Sequence, residues 1–178
     1  MRLVFDNRPK PFARPWPIHR FIWAVRAHRN LVFWGDVERE PAPFEILEHP
    51  ADVGFLAHGR TIEELFAHAA LAMMSLGWEL EGAGETLQRE IQAEGQDLES
   101  LLYDWLSAIL ALADSERLIL RRFEVNDLGR GAVRGTAWGE RFDGSRHRAR
   151  TYIKAVTLHQ FQVRPSAEGW TARVFLDV

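Results

Sequence analysis

Apolar residues recur at helical spacing in two segments of the chain. The first segment follows Thr61, which forms a capping-box pattern with Glu64 three residues on. Its apolar positions share one helical face: Ile62, Leu65, Phe66, Ala69, Ala70 and Met73. The second segment follows Asp97, a residue type that caps helices. Its apolar positions repeat in the same way: Leu98, Leu101, Leu102, Trp105, Leu106, Ile109 and Leu110. The spacing predicts two amphipathic helices, the first closed by a left-handed Gly77 and the second of about 17 residues.

Alternating apolar and polar residues predict strands in the rest of the chain from residue 44 onward. The predicted strands occupy residues 44–47, 53–58, 86–93, 118–125, 131–138, 149–157, 158–164 and 170–178. Turn residues separate several of them, among them Asp127-Leu128-Gly129. Two helices among about seven strands, most of them late in the chain, predict an α+β fold. In this fold the helices pack against a largely antiparallel or mixed sheet.

Residues 1–43 differ in composition from the rest of the chain. They contain closely spaced prolines and three tryptophans, and they carry eight Arg or Lys against four acids, a net charge of +4. Residues 44–178 carry fourteen basic residues against twenty-one acids, a net charge of −7. We expect residues 44–178 to be the folded domain and residues 1–43 to be an N-terminal extension, either poorly ordered or arising from a mis-assigned start codon. A basic, aromatic arm that docks a partner is the alternative for the extension.

Composition and missing motifs exclude several kinds of site. The chain has no cysteine, which removes disulfides, thiolate metal sites and cysteine nucleophiles. It lacks the motifs of phosphate loops, dinucleotide folds, zinc proteases and serine hydrolases, so an independent nucleotide hydrolase or dehydrogenase is not expected. Its apolar runs are far shorter than the roughly 20 residues that cross a bilayer, and prolines interrupt the N-terminus where a secretory signal would lie. We therefore expect a cytoplasmic protein. The acidic domain argues against sequence-independent nucleic-acid binding by this chain alone.

Oxygen-bearing groups lie at two strand ends. Asp52 stands in the turn between two short predicted strands, and Asp177-Val178 end the sequence beside the last strand. Carboxylate oxygens with water suit a hard cation such as calcium or magnesium. The alternatives are that Asp52 binds local backbone amides and that Asp177 belongs to a solvated chain end.

Three further residues are candidates for a supporting role. Lys154 lies in an apolar segment, where it either extends to the edge of the sheet face or meets phosphate or the acidic groups. His49 and His159 are each either a satisfied structural group or part of a site. A basic run after a predicted turn is either solvated or in contact with an acidic or nucleic-acid surface: Arg146, His147, Arg148 and Arg150.

Four segments together resemble the archease family. They are EHPADVG at 48–54, DWL at 104–106, IKAVTLH at 153–159 and LDV at 176–178, and they stand in the family's order and at suitable spacing. The chain departs from the family pattern at Pro50, where threonine is usual, at Leu158, where an aromatic residue is frequent, and in the extension before residue 44. Because Pro50 has no backbone N–H, the hydrogen bonding around Asp52 is expected to differ from that of other members.

The resemblance implies a metal-binding protein cofactor rather than an enzyme. Archeases activate the RtcB-type RNA ligase, which joins RNA ends in tRNA splicing and RNA repair through a guanylylated histidine. The family likeness implies that a divalent cation, calcium in preference to magnesium or manganese, is held by Asp52, Asp177 and Val178. It further implies that the residues that support these ligands or contact the partner are His49, Lys154 and His159. RNA would be reached only through the ligase, with no membrane involved. A metal-dependent phosphoester hydrolase and a chaperone or adaptor with incidental metal are the alternatives.

Overall fold

The computed structural model describes residues 42–48 and 53–178 of the chain. Within them the chain forms two helices and seven strands, in the order β1 (Phe44–Glu48), β2 (Val53–Gly59), α1 (Ile62–Gly77), β3 (Leu87–Glu94), α2 (Leu98–Glu116), β4 (Leu118–Gly129), β5 (Ala132–Arg141), β6 (Ala155–Ser166) and β7 (Gly169–Asp177). Neither helix in this part of the chain is long and apolar enough to cross a membrane. The predicted extension lies almost wholly outside the described residues, so its assignment stays a prediction.

The strands form two antiparallel sheets. One has four strands in the order β1-β2-β7-β6, and the other has three in the order β3-β5-β4. Most neighbours are hairpin partners, but the pairing of β2 with β7 joins distant parts of the chain, from Val53 opposite Leu176 to Gly59 opposite Trp170. The predicted α+β class, with two helices and about seven largely antiparallel strands, is confirmed, and the strands divide between two sheets.

Helix α1 begins as predicted and ends differently. The Thr61 side chain accepts a hydrogen bond from the backbone N–H of Glu64 (3.2 Å), and the Glu64 carboxylate accepts one from the backbone N–H of Arg60 (2.8 Å). The bond to Thr61 satisfies a donor that the first helical turn leaves free, and the return bond to the Glu64 carboxylate comes from Arg60, one residue before the cap. The prediction of a left-handed Gly77 is wrong, because Gly77 is the last helical residue and Trp78 follows in an extended conformation (φ −140°). Trp78 forms an isolated antiparallel bridge with Ala149, and this bridge keeps the chain extended where it leaves the helix.

Helix α2 is closed at its start by a reciprocal cap. The Asp97 side chain accepts a hydrogen bond from the backbone N–H of Ser100 (2.8 Å), and the Ser100 hydroxyl accepts one from the backbone N–H of Asp97 (3.0 Å). Hydrogen bonds from Ser100 to the carboxylate lower the pKa of Asp97. The helix has 19 residues and ends at Glu116, followed by the left-handed Arg117 (φ 54°) as its C-cap. The cap predicted at Asp97 is therefore confirmed.

Both helices contact both sheets, so the described domain has one core. Helix α1 packs against β2 and β4, and α2 packs against β3 and β6. Trp105 of α2 is fully buried, and its indole N–H donates to the Phe66 carbonyl of α1 (3.2 Å). Gly135 on β5 makes room for it, since a Cβ at that position would lie 2.7 Å from the Trp105 ring. The apolar stripes seen in the sequence are thus the faces that fill the core.

Strand β6 differs from the prediction in its start and its continuity. It begins at Ala155 instead of residue 149, and it runs to Ser166 as one strand instead of two. Its pairing with β7 is interrupted between Thr157 and Gln162, where Gln160 adopts a left-handed conformation (φ 49°). Extra residues at this bulge change the phase of the apolar alternation, and this is why the sequence pattern indicated two strands.

The hairpin between β4 and β5 turns later than predicted. Asp127, Leu128 and Gly129 all belong to β4, and the turn consists of Arg130 and Gly131. Gly131 has φ 86°, a conformation that favours glycine, whereas Gly129 still pairs with the first residue of β5. The predicted turn at 127–129 is therefore wrong by one to two residues.

Candidate metal centre

The last strand brings the end of the chain beside the start of β2. In β7, Leu176 pairs with Val53 on one side and with Val156 on the other, and Asp177 pairs with Ala155. Phe175 is two residues before Asp177, so their side chains lie on the same face of the sheet. This face is opposite to the one that Leu176 turns to the core. Phe175 on this face is largely buried, whereas Asp177 and Val178 at the end of the strand are exposed.

Lys154, just before β6, binds the last two residues of the chain. Its backbone N–H donates to the Asp177 carbonyl (2.8 Å), and its Nζ donates to the main-chain oxygen of Val178 (2.7 Å). The same Nζ lies 3.8 Å from Oδ1 of Asp177. The aspartate carboxylate and the end of the main chain therefore converge on one ammonium group.

These charges are in contact with solvent. The side chains of Lys154 and Asp177 are 55% and 57% exposed. Water screens an ion pair of this kind, so the pair contributes little to stability. Because water reaches the carboxylate oxygens, a hydrated cation can reach them as well.

His159 lies on the same side of the sheet as Asp177. The bulge in β6 carries its ring over Phe175, with the ring centroids 5.7 Å apart. The ring nitrogen Nε2 is 3.2 Å from Nε2 of Gln160, which can donate a hydrogen bond to it. His159 thus packs on the residue two positions before Asp177, a place from which it can line the edge of the centre.

His49 and Asp52 lie outside the described residues, but the residues that flank this segment lie within them. Glu48 pairs with Val53 across the hairpin, and Val53 pairs with Leu176. The structure thus sets the chain neighbour of Asp52 opposite the chain neighbour of Asp177. The assignment of Asp52, Asp177 and Val178 as metal ligands stays a prediction.

The donor chemistry at this edge fits a hard cation. Asp177 offers two carboxylate oxygens and Val178 offers main-chain oxygen, and neither sulfur nor a cluster of imidazoles is needed. In residues 42–48 and 53–178, no three His, Asp or Glu side chains form a group that could hold a metal. The predicted centre takes just one such side chain, that of Asp177, from these residues. The donor that would complete it is Asp52.

A second carboxylate cluster, at the end of β5, was missed in the sequence. Glu140 is buried, with 6% exposure, and its carboxylate accepts hydrogen bonds from the Gly84 backbone, His147 Nε2 (2.9 Å) and Arg146 Nη2 (3.0 Å). The bond from Gly84 is the largest cause, followed by His147 and Arg146, of a Glu140 pKa lowered to about 2. Nδ1 of His147 accepts from the Asp143 backbone N–H (2.9 Å), so its Nε2 carries the proton that Glu140 accepts.

Part of the basic run therefore has a partner inside the domain. Arg146 and His147 bind Glu140, and Arg150 donates to the Ser75 carbonyl at 3.5 Å. Arg148 is largely solvated, at 84% side-chain exposure, and its Nε lies 3.9 Å from the Glu79 carboxylate. In the sequence, Glu140 and the basic run lie on either side of the predicted turn at Asp143-Gly144. This short separation is the feature from which the cluster could have been predicted.

Comparisons with known proteins agree with this architecture. A model described as the archease protein family matches residues 44–178. The protein archease of Methanosarcina mazei is 39% identical over 139 residues, which are 76% of this chain and 95% of that protein. The protein archease of Sulfurisphaera tokodaii is 35% identical over 136 residues, 76% of this chain and 98% of that protein.

Two solved structures have the same fold. The solution structure of protein 1598 of Methanobacterium thermoautotrophicum has a TM-score of 0.67 at 33% identity, and the match covers 76% of this chain and 99% of that one. The crystal structure of an archease and possible chaperone from Thermotoga maritima has a TM-score of 0.50 at 22% identity, covers 79% of this chain and 97% of that one, and supports the fold alone. From the family match and these relatives, the chain belongs to the archease family.

Proposed function

We propose that this chain is a metal-binding protein cofactor that activates an RtcB-type RNA ligase in tRNA splicing and RNA repair. It would promote guanylylation of the ligase and allow the ligase to turn over many times. Membership of the archease family supports the proposal, because the four segments that carry the resemblance all fall in or at the edge of the matched region, residues 44–178. The domain's net charge of −7 agrees with a role in which RNA is reached through the ligase.

The observation that carries the proposal is the pairing of β2 with β7. Asp52 is covalently bonded to Val53, so their Cα atoms are about 3.8 Å apart in any trans conformation. Val53 lies opposite Leu176, at the roughly 5 Å typical of antiparallel partners, and Asp177 follows Leu176. This pairing supports the proposal that Asp52 and Asp177, which are far apart in sequence, share one cation.

The proposed ligands are two side-chain carboxylates, from Asp52 and Asp177, and the main-chain oxygens of Val178. Calcium fits this oxygen set best, because it accepts flexible carboxylate and carbonyl ligands together with water. Magnesium and manganese also accept oxygen ligands. When bound, the cation would supply a fixed positive charge for anionic groups of the ligase or its nucleotide.

Lys154 lies beside the proposed centre on the side of β6. Its Nζ donates to the Val178 main-chain oxygen and lies 3.8 Å from the Asp177 carboxylate, so a bound cation would take over oxygens that now face this ammonium group. His159, on Phe175, and His49, next to the segment of Asp52, would support the ligands or contact the ligase. In this reading the chain holds and presents a cation, and the reacting histidine belongs to the ligase.

Substituting Asp177→Asn tests the proposal. The amide keeps the shape of the side chain but removes its charge, so calcium affinity should fall at least roughly tenfold. Stimulation of multiple-turnover RNA ligation should fall with it. The unfolding free energy should change by less than about 0.5 kcal/mol, because the side chain is exposed and its ion pair is screened. Calcium titration, ligase turnover and urea unfolding measure the three quantities.

The matched control is Asp127→Asn, which neutralises an exposed aspartate on the three-stranded sheet. It should leave both calcium binding and ligase stimulation unchanged. The proposal is wrong if Asp177→Asn folds normally and still supports full multiple-turnover ligation. Cleavage of generic phosphodiesters by the purified chain, without ligase, would favour the hydrolase. Full stimulation without bound metal would favour the chaperone or adaptor.

A further inference from the structure

Because of the bulge in β6, Phe161 rather than Leu158 fills the core position opposite Val174. Up to Thr157 the strand pairs regularly with β7, and one more step in this register would set Leu158 opposite the buried Val174. The register resumes only at Gln162, opposite Arg173, so three extra residues have been looped out. Extending the later register back by one step sets Phe161 opposite Val174 instead. Phe161 is 9% exposed and Leu158 is 70% exposed.

The displaced leucine is held outside by local structure. Gln160 takes a left-handed backbone conformation (φ 49°), which is unfavourable for a residue with a Cβ. Phe161 occupies the core beside Tyr103, with the rings edge-on and 6.0 Å apart, so Leu158 has no place to return to. A large aliphatic side chain left in water by a strained bulge lowers stability, and such strain is concentrated at functional positions.

We propose that residues 158–160 form a docking knob, with Leu158 as its apolar anchor, that inserts into a recess of the partner ligase. The inference rests on the proposed function and adds to it the surface by which the partner is held. The knob is distinct from the ligands of the proposed cation, because Leu158 offers no ligand atom in its side chain.

Position and charge point to the ligase as the occupant. The knob begins directly after the segment in which Ala155 pairs with Asp177, and His159 of the knob packs on Phe175. A partner that covers Leu158 is therefore brought against the aspartate and the end of the chain. Such a partner needs an apolar recess next to a centre that tolerates or carries cations. In the proposed function the ligase is the partner that meets this centre, so it is also the partner placed to cover Leu158.

Exposed apolar residues elsewhere support the choice of this edge. In the part of the chain that the structure describes, four large hydrophobic residues are exposed: Ile46, Tyr152, Leu158 and Val178. Tyr152 and Leu158 lie within four positions of Lys154 in the sequence, and Val178 is hydrogen-bonded to it through its main-chain oxygen. Ile46 is on β1, at the opposite edge of the same sheet. Leu158 thus stands among exposed apolar residues that a partner covering this edge would bury.

The test measures direct binding to purified ligase together with ligation turnover, for Leu158→Ser, Leu158→Met and Ile46→Ser. Leu158→Ser should raise both the dissociation constant and the concentration for half-maximal stimulation about tenfold or more, since it removes a buried aliphatic anchor. Saturating amounts should restore stimulation, and calcium affinity should stay within about twofold of the unsubstituted chain. Leu158→Met, which keeps an apolar side chain of similar volume, and Ile46→Ser should bind within about threefold.

The outcomes separate the knob from the proposed function. If Leu158→Ser binds the ligase normally, or if Ile46→Ser loses as much affinity, Leu158 is not the docking anchor, and the proposed cofactor role is unaffected. If the unsubstituted chain binds the ligase but does not stimulate it, the cofactor role is wrong, and the Leu158 variants still test whether the knob is the docking site. No binding of the unsubstituted chain to ligase overturns both. A dimer that Leu158→Ser converts to monomer would assign the knob to a second copy of this chain and would also overturn it.

Discussion

The domain contains two clusters in which carboxylates meet basic side chains, and they are built in opposite ways. At the end of β5, Glu140 is 6% exposed and accepts hydrogen bonds from three separate donors. At the end of β7, Asp177 is 57% exposed and has only Lys154, at 3.8 Å, among the contacts described above. Burial and hydrogen bonds to both carboxylate oxygens characterise the first cluster. Exposure and a single weak ion pair characterise the second.

The difference separates structural charge from charge that is available for binding. A buried carboxylate with both oxygens hydrogen-bonded ties loops together, as Glu140 ties Gly84 to His147. Its oxygens are shielded from an incoming ligand. Asp177 contributes little to stability and keeps its oxygens accessible to solvent. In this domain the strongly lowered pKa belongs to Glu140, in the structural cluster. The candidate site at Asp177 has to be recognised from its geometry.

The largest effect is expected at the buried cluster. Replacing Glu140→Gln should lower the unfolding free energy by about 2–4 kcal/mol, because it removes a buried charge and points an amide N–H group at donors. Calcium binding and ligase stimulation should be retained in the folded fraction. Urea unfolding at neutral pH measures the loss, with Glu124→Gln on the exposed side of β4 as the control. A loss below about 1 kcal/mol would contradict the contrast between the clusters.

Acid should remove the same contribution. The pKa of Glu140 is about 2 in the folded protein against an ordinary value of 4.5, so its stabilisation is fully present above about pH 4.5. It is lost as the pH falls from there towards about 2, because the unfolded chain then binds a proton that the folded chain does not. The stability gap between the unsubstituted chain and Glu140→Gln should narrow across this window. A gap that stays constant between about pH 5 and pH 3 would contradict the assignment.

The smallest effect on stability is expected at the exposed cluster. Substituting Lys154→Met should change the unfolding free energy by less than about 1 kcal/mol, since its ion pair is solvated. Calcium affinity should rise by about two- to tenfold, because an ammonium group that lies against the proposed ligand oxygens repels an incoming cation. Isothermal titration with calcium measures the change. A fall in affinity would mean that Lys154 acts chiefly by positioning the ligands.

The two helices could be predicted from the sequence, and the register of β6 could not. The helical stripes and the caps at Thr61 and Asp97 depend on residues within one or two turns of each other. The bulge at 158–160 depends instead on which apolar residue, Leu158 or Phe161, fills the place opposite Val174. That choice is made by packing against Tyr103 and the core, which the local pattern does not contain.

For the candidate centre, the sequence alone determined the chemical type of its donors and their location at strand ends, and the resemblance to a family grouped them. Tertiary structure decided that Val53 and Leu176 are partners, that Lys154 reaches the last two residues, and that Glu140 takes two members of the basic run. The physical reason is the range of the interactions. Caps and periodicity act within one or two helical turns, whereas Val53 and Leu176 are more than a hundred residues apart and Lys154 reaches Val178 only because β6 pairs with β7. Arg146 and His147 are close to Glu140 in sequence, but a loop conformation that no periodic pattern specifies brings them onto its carboxylate.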